Sequence, residues 1–263
     1  MGNKRLQQLT YLVNLHSKYK ARSTSELFDK CTYNEWLEIC LVPNYHNLIN
    51  SASELYVKYN LDIQRADMWG YATKLALTEP VDVYQFNEFS KIFSINNINP
   101  KDFVNKLRII FAKSDPKINS MRFVGAPNSC KTLIADCITY PFMTCNQNNH
   151  GSDGEFFMEN MLNQTIVQLE ELYATTSTAE DLKSILAGHP IDISKKHIGK
   201  QLLTRTPMII TSNYFKFGRG HLPPVDEDAL CTRCYSFTFS HRYKPEIMLN
   251  SNQFYLFLLS HIY

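Results

Sequence analysis

The first part of the chain carries apolar side chains at helical spacing. This periodicity predicts helices over residues 34–41, 48–60, 64–77, 83–93 and 101–113. Pro43 and Asn60 separate the first three segments, and Pro100 lies where the last helix can begin. Because the aromatic residues recur at the same helical spacing, we expect them in the core of a helical bundle and not in a base-stacking surface.

Beyond residue 118 the pattern changes to short apolar runs separated by turns. It predicts strands over residues 121–125, 141–145, 165–169, 207–213 and 234–239, and helices over 132–138 and 178–187. Such an alternation is typical of an α/β domain with a mainly parallel, buried sheet. We therefore predict an N-terminal helical region (1–80), an α/β core (81–240) and a C-terminal tail (241–263). The boundary between the helical region and the core lies between residues 80 and 118.

The composition narrows the class of protein. Apolar residues make up 44% of the chain and charged residues 20%, which suits a folded core, and a net charge of +2 confines any nucleic-acid contact to a local patch. Seven scattered cysteines indicate a reducing compartment. The N-terminus lacks the apolar stretch of a secretory signal, and the apolar run 254–262 is too short to span a bilayer. We expect a soluble intracellular protein without a membrane partner.

A phosphate-binding loop is predicted at residues 125–132, between an apolar strand and a helix. Lys131 would face the β- and γ-phosphates, and Thr132 would offer its hydroxyl to Mg²⁺. Cys130 stands where the pattern has glycine, and a side chain there can disfavour the required backbone dihedrals. The candidate nucleotide-binding residues are Gly125, Ala126, Pro127, Asn128, Ser129, Cys130, Lys131 and Thr132. The simpler alternative is a chance strand–turn–helix that contains a Lys-Thr pair.

Polar residues also end two of the other predicted strands. We assign Glu170 to the Mg²⁺ shell and Glu171 to the activation of water, although adjacent carboxylates can exchange these roles. Asn213 ends the strand 207–213, where its amide can hold the attacking water or sense the γ-phosphate. The simpler alternatives are a solvated carboxylate pair and an asparagine that caps a turn.

Two further motifs lie near the last predicted strand. Arg233 is either a surface residue or, in a ring ATPase, an arginine finger that reaches the γ-phosphate bound by a neighbouring subunit. Cys231 and Cys234 have C-x-x-C spacing, but no second cysteine or histidine pair lies at zinc-finger distance. Metal binding by these two cysteines is therefore disfavoured.

The order and spacing of the motifs resemble superfamily 3 helicases, and within them the replication initiator (nonstructural) proteins of parvoviruses and densoviruses. The resemblance rests on GAPNSCKT, IVQLEE, PMIITSN and the lone arginine, and it covers about residues 75–240. It implies an AAA+-like P-loop core preceded by a small oligomerisation bundle, with ATP and Mg²⁺ as cofactors and the host nucleus as location. Two departures are Cys130 and the lack of the His-hydrophobe-His pair of the family's origin-nicking domain.

The resemblance extends to residues 188–206, which in the family form a β-hairpin whose lysines grip single-stranded DNA in a central channel. The matching basic residues are Lys195 and Lys196, with His197 at the tip and Lys200 just beyond. A solvated charged turn is the alternative if the hairpin is taken alone. The family also implies a homo-oligomeric ring of six in which Arg233 acts in trans.

Together these expectations describe an ATP-driven helicase that translocates on single-stranded DNA during viral genome replication. The main alternative is a helicase-like remnant that oligomerises or binds DNA without ATP turnover, because Cys130 disrupts the phosphate-binding loop. A weaker alternative is a P-loop ATPase that works on protein.

Overall fold

Two units make up the part of the chain that the computed structural model describes, residues 2–148, 158–195 and 199–262. The units are Met1–Ile63 and Gln64–Tyr263. The first of them is entirely helical, and the second contains all the strands described below.

The first unit is a small helical bundle. Its helices are α1 (Gly2–Tyr19), α2 (Thr24–Lys30), α3 (Tyr33–Cys40) and α4 (Tyr45–Ala66), the last of which continues into the second unit. Buried aliphatic side chains form its core: Leu12, Leu15, Leu27, Ile39, Leu48, Ile49 and Ala52. The predicted break at Asn60 is wrong, because Asn60 lies inside α4 and its amide donates a 2.8 Å hydrogen bond to the Tyr56 carbonyl. An asparagine inside a helix costs at most about 0.7 kcal/mol, which tertiary packing overrides.

Seven α-helices of the second unit lie within the described residues. They are α5 (Met68–Ala76), α6 (Val83–Ile95), α7 (Pro100–Ala112), α8 (Lys131–Thr139), α9 (Ala179–Ala187), α10 (Pro224–Cys231) and α11 (Ser251–Leu259). The side chains of Asp67, Asp82 and Asn99 accept backbone N–H hydrogen bonds at the starts of α5, α6 and α7. Among the residues described, no helix combines the length and apolar character needed to cross a bilayer.

The strands of this unit form one sheet and one hairpin. In chain order they are β1 (Ser120–Gly125), β2 (Thr144–Asn148), β3 (Ile166–Glu170), β4 (Ile191–Lys195), β5 (Gly199–Leu203), β6 (Met208–Ser212) and β7 (Cys234–Phe239). The sheet has five strands in the order β2-β3-β6-β1-β7, all of whose pairings are parallel, and β4 pairs with β5 in an antiparallel hairpin. The predicted mainly parallel sheet is confirmed.

Parallel pairing brings the ends of neighbouring strands to one edge. The register pairs Val124 of β1 with Ser212 of β6, and Glu170 of β3 with Thr211 of β6. The loop after β1, the carboxylates at the end of β3 and the asparagine after β6 therefore share the carboxyl edge of the sheet, where ligands bind in open α/β folds.

An aromatic core joins α6, α7 and α11. Phe93 lies 5.0 Å from Phe103 and 5.1 Å from Phe257 between ring centroids, and Phe89 lies 5.1 Å from Phe254. All five rings are fully or almost fully buried. The prediction that helical aromatic residues form core holds for Phe89, Phe93 and Phe103, whereas Tyr59 of the first unit is 66% exposed.

The observed units differ from the predicted regions 1–80, 81–240 and 241–263. The structure places the boundary between Ile63 and Gln64 and includes α5 and α11 in the second unit. The physical reason is burial: α5 contributes Met68 and Ala72 to the same apolar core that Phe254 and Phe257 of α11 complete. The sequence pattern indicates a helix at α5 and an apolar run at α11, but it could not show which core they join.

We expect Phe257→Ala to lower the free energy of unfolding by about 3–5 kcal/mol, because it removes a fully buried ring from the aromatic core. Urea unfolding followed by circular dichroism measures the change. The matched control is Phe215→Ala, which removes a ring that is 62% exposed and should cost less than about 0.5 kcal/mol. Equal losses in the two variants would contradict the proposed role of α11 in the core.

Candidate nucleotide-binding site

The predicted phosphate loop lines an open cavity at the carboxyl edge of the sheet. The cavity has a volume of about 800 Å³, which suits a ligand of nucleotide size. The loop, the ends of β3 and β6 and the segment after β7 contribute its lining: Pro127, Asn128, Ser129, Cys130, Lys131, Thr132, Leu133, Glu171, Thr211, Asn213, Arg242, Tyr243, Lys244 and Pro245. Residues from four separate stretches of the chain thus meet at one place.

Gly125 is the point at which the chain leaves the sheet. Its φ is 135°, and the next residue, Ala126, donates its N–H to the Phe239 carbonyl at 2.9 Å. A Cβ atom at Gly125 would stand 2.1 Å from the Phe239 carbonyl oxygen, which belongs to the paired strand β7. Only glycine fits this close approach, and the turn into the loop depends on it.

Cys130 adopts the backbone conformation that the phosphate-loop pattern reserves for glycine. Its φ is 69°, a left-handed conformation that a non-glycine residue adopts at a cost of about 1–2 kcal/mol. Its thiol donates a 3.2 Å hydrogen bond to the Tyr243 carbonyl, and burial raises the pKa of the thiol. The side chain therefore points to the segment after β7 and leaves the Lys131 ammonium free to reach the loop.

The Lys131 ammonium folds back over the phosphate loop. It donates hydrogen bonds to the Gly125 carbonyl at 3.1 Å, to the Ala126 carbonyl, to the Ser129 hydroxyl at 3.3 Å and to the Asn213 side-chain oxygen at 3.1 Å. Burial lowers the pKa of Lys131, and the nearby Glu171 carboxylate opposes part of that shift. A buried cation held by neutral oxygens is suited to an incoming phosphate.

The two adjacent carboxylates point to different places. Glu171 lines the cavity and accepts hydrogen bonds from the Asn213 N–H at 3.0 Å and the Ser212 hydroxyl at 3.3 Å. Glu170 does not line it, and its carboxylate accepts a 2.9 Å hydrogen bond from the Asn146 amide on β2. The structure therefore brings Glu171, and not Glu170, together with Thr132 and Lys131.

Asn213 is held from both sides. Its N–H donates to Glu171 and its side-chain oxygen accepts from Lys131, so it links the carboxylate and the ammonium across the cavity. The loop that follows is fixed by the buried Arg122, whose guanidinium donates to the Tyr214 and Phe215 carbonyls at 3.0 and 2.9 Å. Sequence reasoning did not identify Arg122, because a cation inside a buried strand has no motif.

Arg233 lies away from the cavity of its own chain. It directly precedes Cys234, which pairs with Ser120 at the amino end of β1, whereas the phosphate loop follows the opposite end of that strand. At about 3.3 Å per strand residue, the length of β1 separates Arg233 from the phosphate loop by roughly 17 Å. Its guanidinium donates to the Ala229 carbonyl, and its Nε has no hydrogen-bond partner among the described residues.

The predicted hairpin is present, but much of its predicted DNA-binding tip lies outside the described residues. This applies to Lys196 and His197 and to the side chain of Lys195. Lys200 is described, and it is exposed on β5 opposite Ser194. The buried Ile193 and Leu203 anchor the base of the hairpin in the second apolar core of the unit.

Arg242, Tyr243 and Lys244 line the cavity and were not predicted as site residues. They follow the last strand of the sheet in a segment without regular secondary structure, which was assigned to a tail. The only sequence signal was a pair of cations around a tyrosine directly after β7. Such a pair is too common on surfaces to indicate a nucleotide site.

The residues present fit a nucleotide with Mg²⁺. Within the described part of the chain no group of three or more His, Cys, Asp or Glu side chains is arranged to hold a metal ion alone. Magnesium bound with a nucleotide takes most of its ligands from phosphates and water, so one hydroxyl and one carboxylate suffice. Thr132 supplies the hydroxyl in the cavity, with Lys131 beside it, and the carboxylate pair Glu170–Glu171 at the end of β3 supplies the carboxylate.

Comparisons of sequence identify relatives. A family model described as Parvovirus non-structural protein NS1 matches residues 12–215. The chain is 27% identical over 130 residues to Initiator protein NS1 of Bovine parvovirus 1, and 28% identical over 137 residues to Protein Rep52 of Adeno-associated virus 2. It is 25% identical over 126 residues to Replication protein E1 of Bovine papillomavirus type 1. The matched regions are 49%, 51% and 46% of this chain but only 15%, 34% and 20% of those proteins.

Solved structures share the fold of this chain. A crystal structure of JCV helicase with a bound small molecule covers 88% of this chain and 77% of its own, with a TM-score of 0.61 and 13% identity. An inhibitor-bound JCV helicase covers 95% of this chain and 80% of its own, with a TM-score of 0.52 and 14% identity. At such low identity the likeness concerns the fold alone. It confirms the predicted α/β core preceded by helices.

We expect Gly125→Ala to destabilise the protein strongly, because the added Cβ meets the Phe239 carbonyl in a sheet that cannot shift locally. Gly220→Ala is the control, since Gly220 also has a positive φ, 94°, but nothing lies within 4 Å of an added Cβ. The loss in unfolding free energy should be at least about 2 kcal/mol greater for Gly125→Ala than for Gly220→Ala, as measured by urea unfolding. Similar losses would mean that the close approach to β7 is not what requires glycine.

Proposed function

Because the chain belongs to the parvovirus non-structural protein NS1 family, we propose that it is an ATP-dependent DNA helicase domain that translocates on single-stranded DNA. The setting would be viral genome replication in the host nucleus. The observation that supports this proposal is the single cavity in which Lys131, Thr132, Glu171 and Asn213 converge beside a phosphate loop. A loop, a hydroxyl, a carboxylate and an amide are the parts that ATP hydrolysis requires.

We assign roles to the residues from their positions. Lys131 would exchange its contacts with loop carbonyls for the β- and γ-phosphates of ATP, and Thr132 would contribute its hydroxyl to Mg²⁺. Glu171 would activate the attacking water, which Asn213 would help to hold. Glu170 remains our proposal for the Mg²⁺ shell, and this role requires its carboxylate to leave the Asn146 amide. ATP would supply the free energy for movement along DNA.

We propose that Arg233 acts on the nucleotide bound by a neighbouring subunit. Within its own chain it precedes β7 at the amino end of the sheet, about a strand length from the phosphate loop. It can therefore meet a γ-phosphate only across an interface, which requires head-to-tail contacts that close into a ring. A homo-oligomeric ring of six, as the family resemblance implies, provides such interfaces.

The hairpin would be the DNA-binding element of the ring. Lys200 is an exposed cation on β5, Lys195 is the last residue of β4, and Lys196 and His197 follow it in the sequence before β5. A few cations on a projecting hairpin can follow a phosphate backbone without sequence preference. Nucleotide-dependent changes at each interface would move these cations along single-stranded DNA.

The alternative proposal is that the protein is a helicase-like remnant, which oligomerises or binds DNA without ATP turnover. The observation that favours it is Cys130, which occupies a glycine-type backbone conformation at φ 69°. The position of the thiol argues against it, because the thiol donates a hydrogen bond to the Tyr243 carbonyl and leaves Lys131 and Thr132 in the cavity. The two functions differ in one measurable property, the hydrolysis of ATP.

The decisive measurement is the ATPase rate of the purified protein with and without single-stranded DNA. We expect DNA-stimulated turnover that Lys131→Ala lowers by about 100-fold or more, because the variant loses the charge that stabilises the transferred phosphate. The double variant Lys195→Ala/Lys196→Ala should keep basal turnover and lose stimulation by DNA. Turnover in Cys130→Gly alone would show that the natural protein is a silenced ATPase.

The role of Arg233 is testable by mixing two inactive variants. Arg233→Ala should bind ATP normally but hydrolyse it about 10³-fold or more slowly, as expected for an arginine finger. After subunit exchange with Lys131→Ala, about one quarter of the interfaces would pair an intact Lys131 with an intact Arg233, so activity should return. If the mixture stays inactive while the subunits are seen to exchange by native mass spectrometry, Arg233 does not act in trans.

A further inference from the structure

One face of α6 and of its C-terminal cap residue carries three buried polar side chains. Gln85, Glu88 and Asn96 fall on the same side of the helix, and they are 9%, 4% and 8% exposed. Residues of this kind are seldom buried unless they are paired. Their partners explain why this helix is polar where its neighbours are apolar.

The three side chains hold the irregular segment that follows β7. Asn96 accepts the His241 N–H at 3.1 Å, Glu88 accepts the Glu246 N–H at 3.2 Å, and Gln85 accepts the Asn250 N–H at 2.9 Å. A segment without helix or strand must satisfy its backbone through other groups. The polar face of α6 supplies acceptors along its length, so this segment has a defined path.

Tyr243 connects this segment to the phosphate loop. Its hydroxyl donates to the Glu88 carboxylate at 2.8 Å, its N–H donates to the Asn128 carbonyl at 2.9 Å, and its carbonyl accepts the Cys130 thiol at 3.2 Å. The side chain and both backbone groups of one residue thus bridge α6 and the loop. We call this set of contacts among Glu88, Tyr243, Asn128 and Cys130 the Glu88 clasp.

The clasp meets the loop at its two strained positions. Asn128 and Cys130 are non-glycine residues with φ of 58° and 69°, conformations that persist only where surrounding contacts hold them. The hydrogen bonds from Tyr243 reach these same two residues. Glu88 is held in turn by the Lys91 ammonium at 2.8 Å, and hydrogen bonds to such a charged acceptor are stronger than neutral ones.

We propose that Glu88 and Tyr243 are positioning residues for the phosphate loop, and that Cys130 is the residue through which the clasp holds it. The thiol hydrogen bond to Tyr243 offers the loop an anchor that glycine could not make. Cys130 is then part of a functional nucleotide site and does not impair it. This inference rests on the proposed function as far as ATP binding is concerned, whereas the anchoring itself can be measured without nucleotide.

The first test measures anchoring through the reactivity of Cys130. N-ethylmaleimide labelling of the full chain, quantified for each cysteine by peptide mass spectrometry, should be about tenfold or more faster at Cys130 in Glu88→Gln and in Tyr243→Phe. Cys137, which is buried on the helix α8 that begins directly after Cys130, serves as the internal reference and should not change. Unchanged labelling of Cys130 in both variants would overturn the proposal, whether or not the protein binds ATP.

The second test separates positioning from a general loss of structure. Each variant should raise the KM for ATP about tenfold with little change in kcat, because the loop is displaced before nucleotide binds while the reacting groups remain. The KM for ATP of the double variant should be no higher than that of either single variant, because each substitution removes the same hydrogen bond between Tyr243 and Glu88. An unaltered KM in both variants, with a functioning ATPase, would also overturn the proposal. A wild-type protein that does not bind ATP would instead refute the proposed function, and labelling would then decide the clasp alone.

The matched control is Glu79→Gln. The Glu79 carboxylate also accepts a hydrogen bond from the segment around α11, from the Asn252 amide at 2.6 Å, but no hydrogen bond of Glu79 among the described residues reaches the phosphate loop. It should alter neither the labelling of Cys130 nor the KM for ATP. Should Glu88→Gln fail to fold, as judged by circular dichroism, Tyr243→Phe carries the test, since it removes a single hydroxyl.

Discussion

The parallel pairing of β1 with β6 and β7 is the constraint on which the rest of the structure depends. All six residues of β1 are buried, and its register against both neighbours determines what surrounds its end. On one side β6 leads to Asn213, and on the other β7 leads to the segment that contains Tyr243. The phosphate loop leaves β1 between them, at a glycine that touches the β7 backbone. A change of register would separate all three.

Three of the nine non-glycine residues that have positive φ among the described residues line the cavity. Asn128, Cys130 and Glu171 are non-glycine residues with φ of 58°, 69° and 49°, and all three line it. Each such residue costs about 1–3 kcal/mol, and it persists only where neighbouring contacts determine its conformation. Here these contacts are the Tyr243 hydrogen bonds to the loop and the pairing of Glu171 with Asn213. The cavity is thus shaped by long-range contacts and not by local preference.

The two buried cations among the described residues, Arg122 and Lys131, have different roles. Arg122 is structural, because carbonyl groups hold its guanidinium and the Phe217 ring stacks on it at 3.9 Å from the centroid. Lys131 lines an open cavity, and its ammonium contacts only neutral oxygens that a phosphate can replace. The contrast between partners that belong to the protein backbone and ring core and partners that a ligand can replace distinguishes a packing cation from a binding one.

The sequence by itself determined the fold class, the P-loop and which predicted strands end in polar residues, because these are local patterns of period and spacing. It identified Lys131, Thr132, Glu171 and Asn213, which the structure does bring together. Tertiary structure alone decided which of two adjacent carboxylates enters the cavity, and that α11 completes the aromatic core. It also decided the contact between Glu88 and Tyr243, which are 155 residues apart. No local pattern contains such a contact, because it exists only once the sheet and α6 have set the path of the chain.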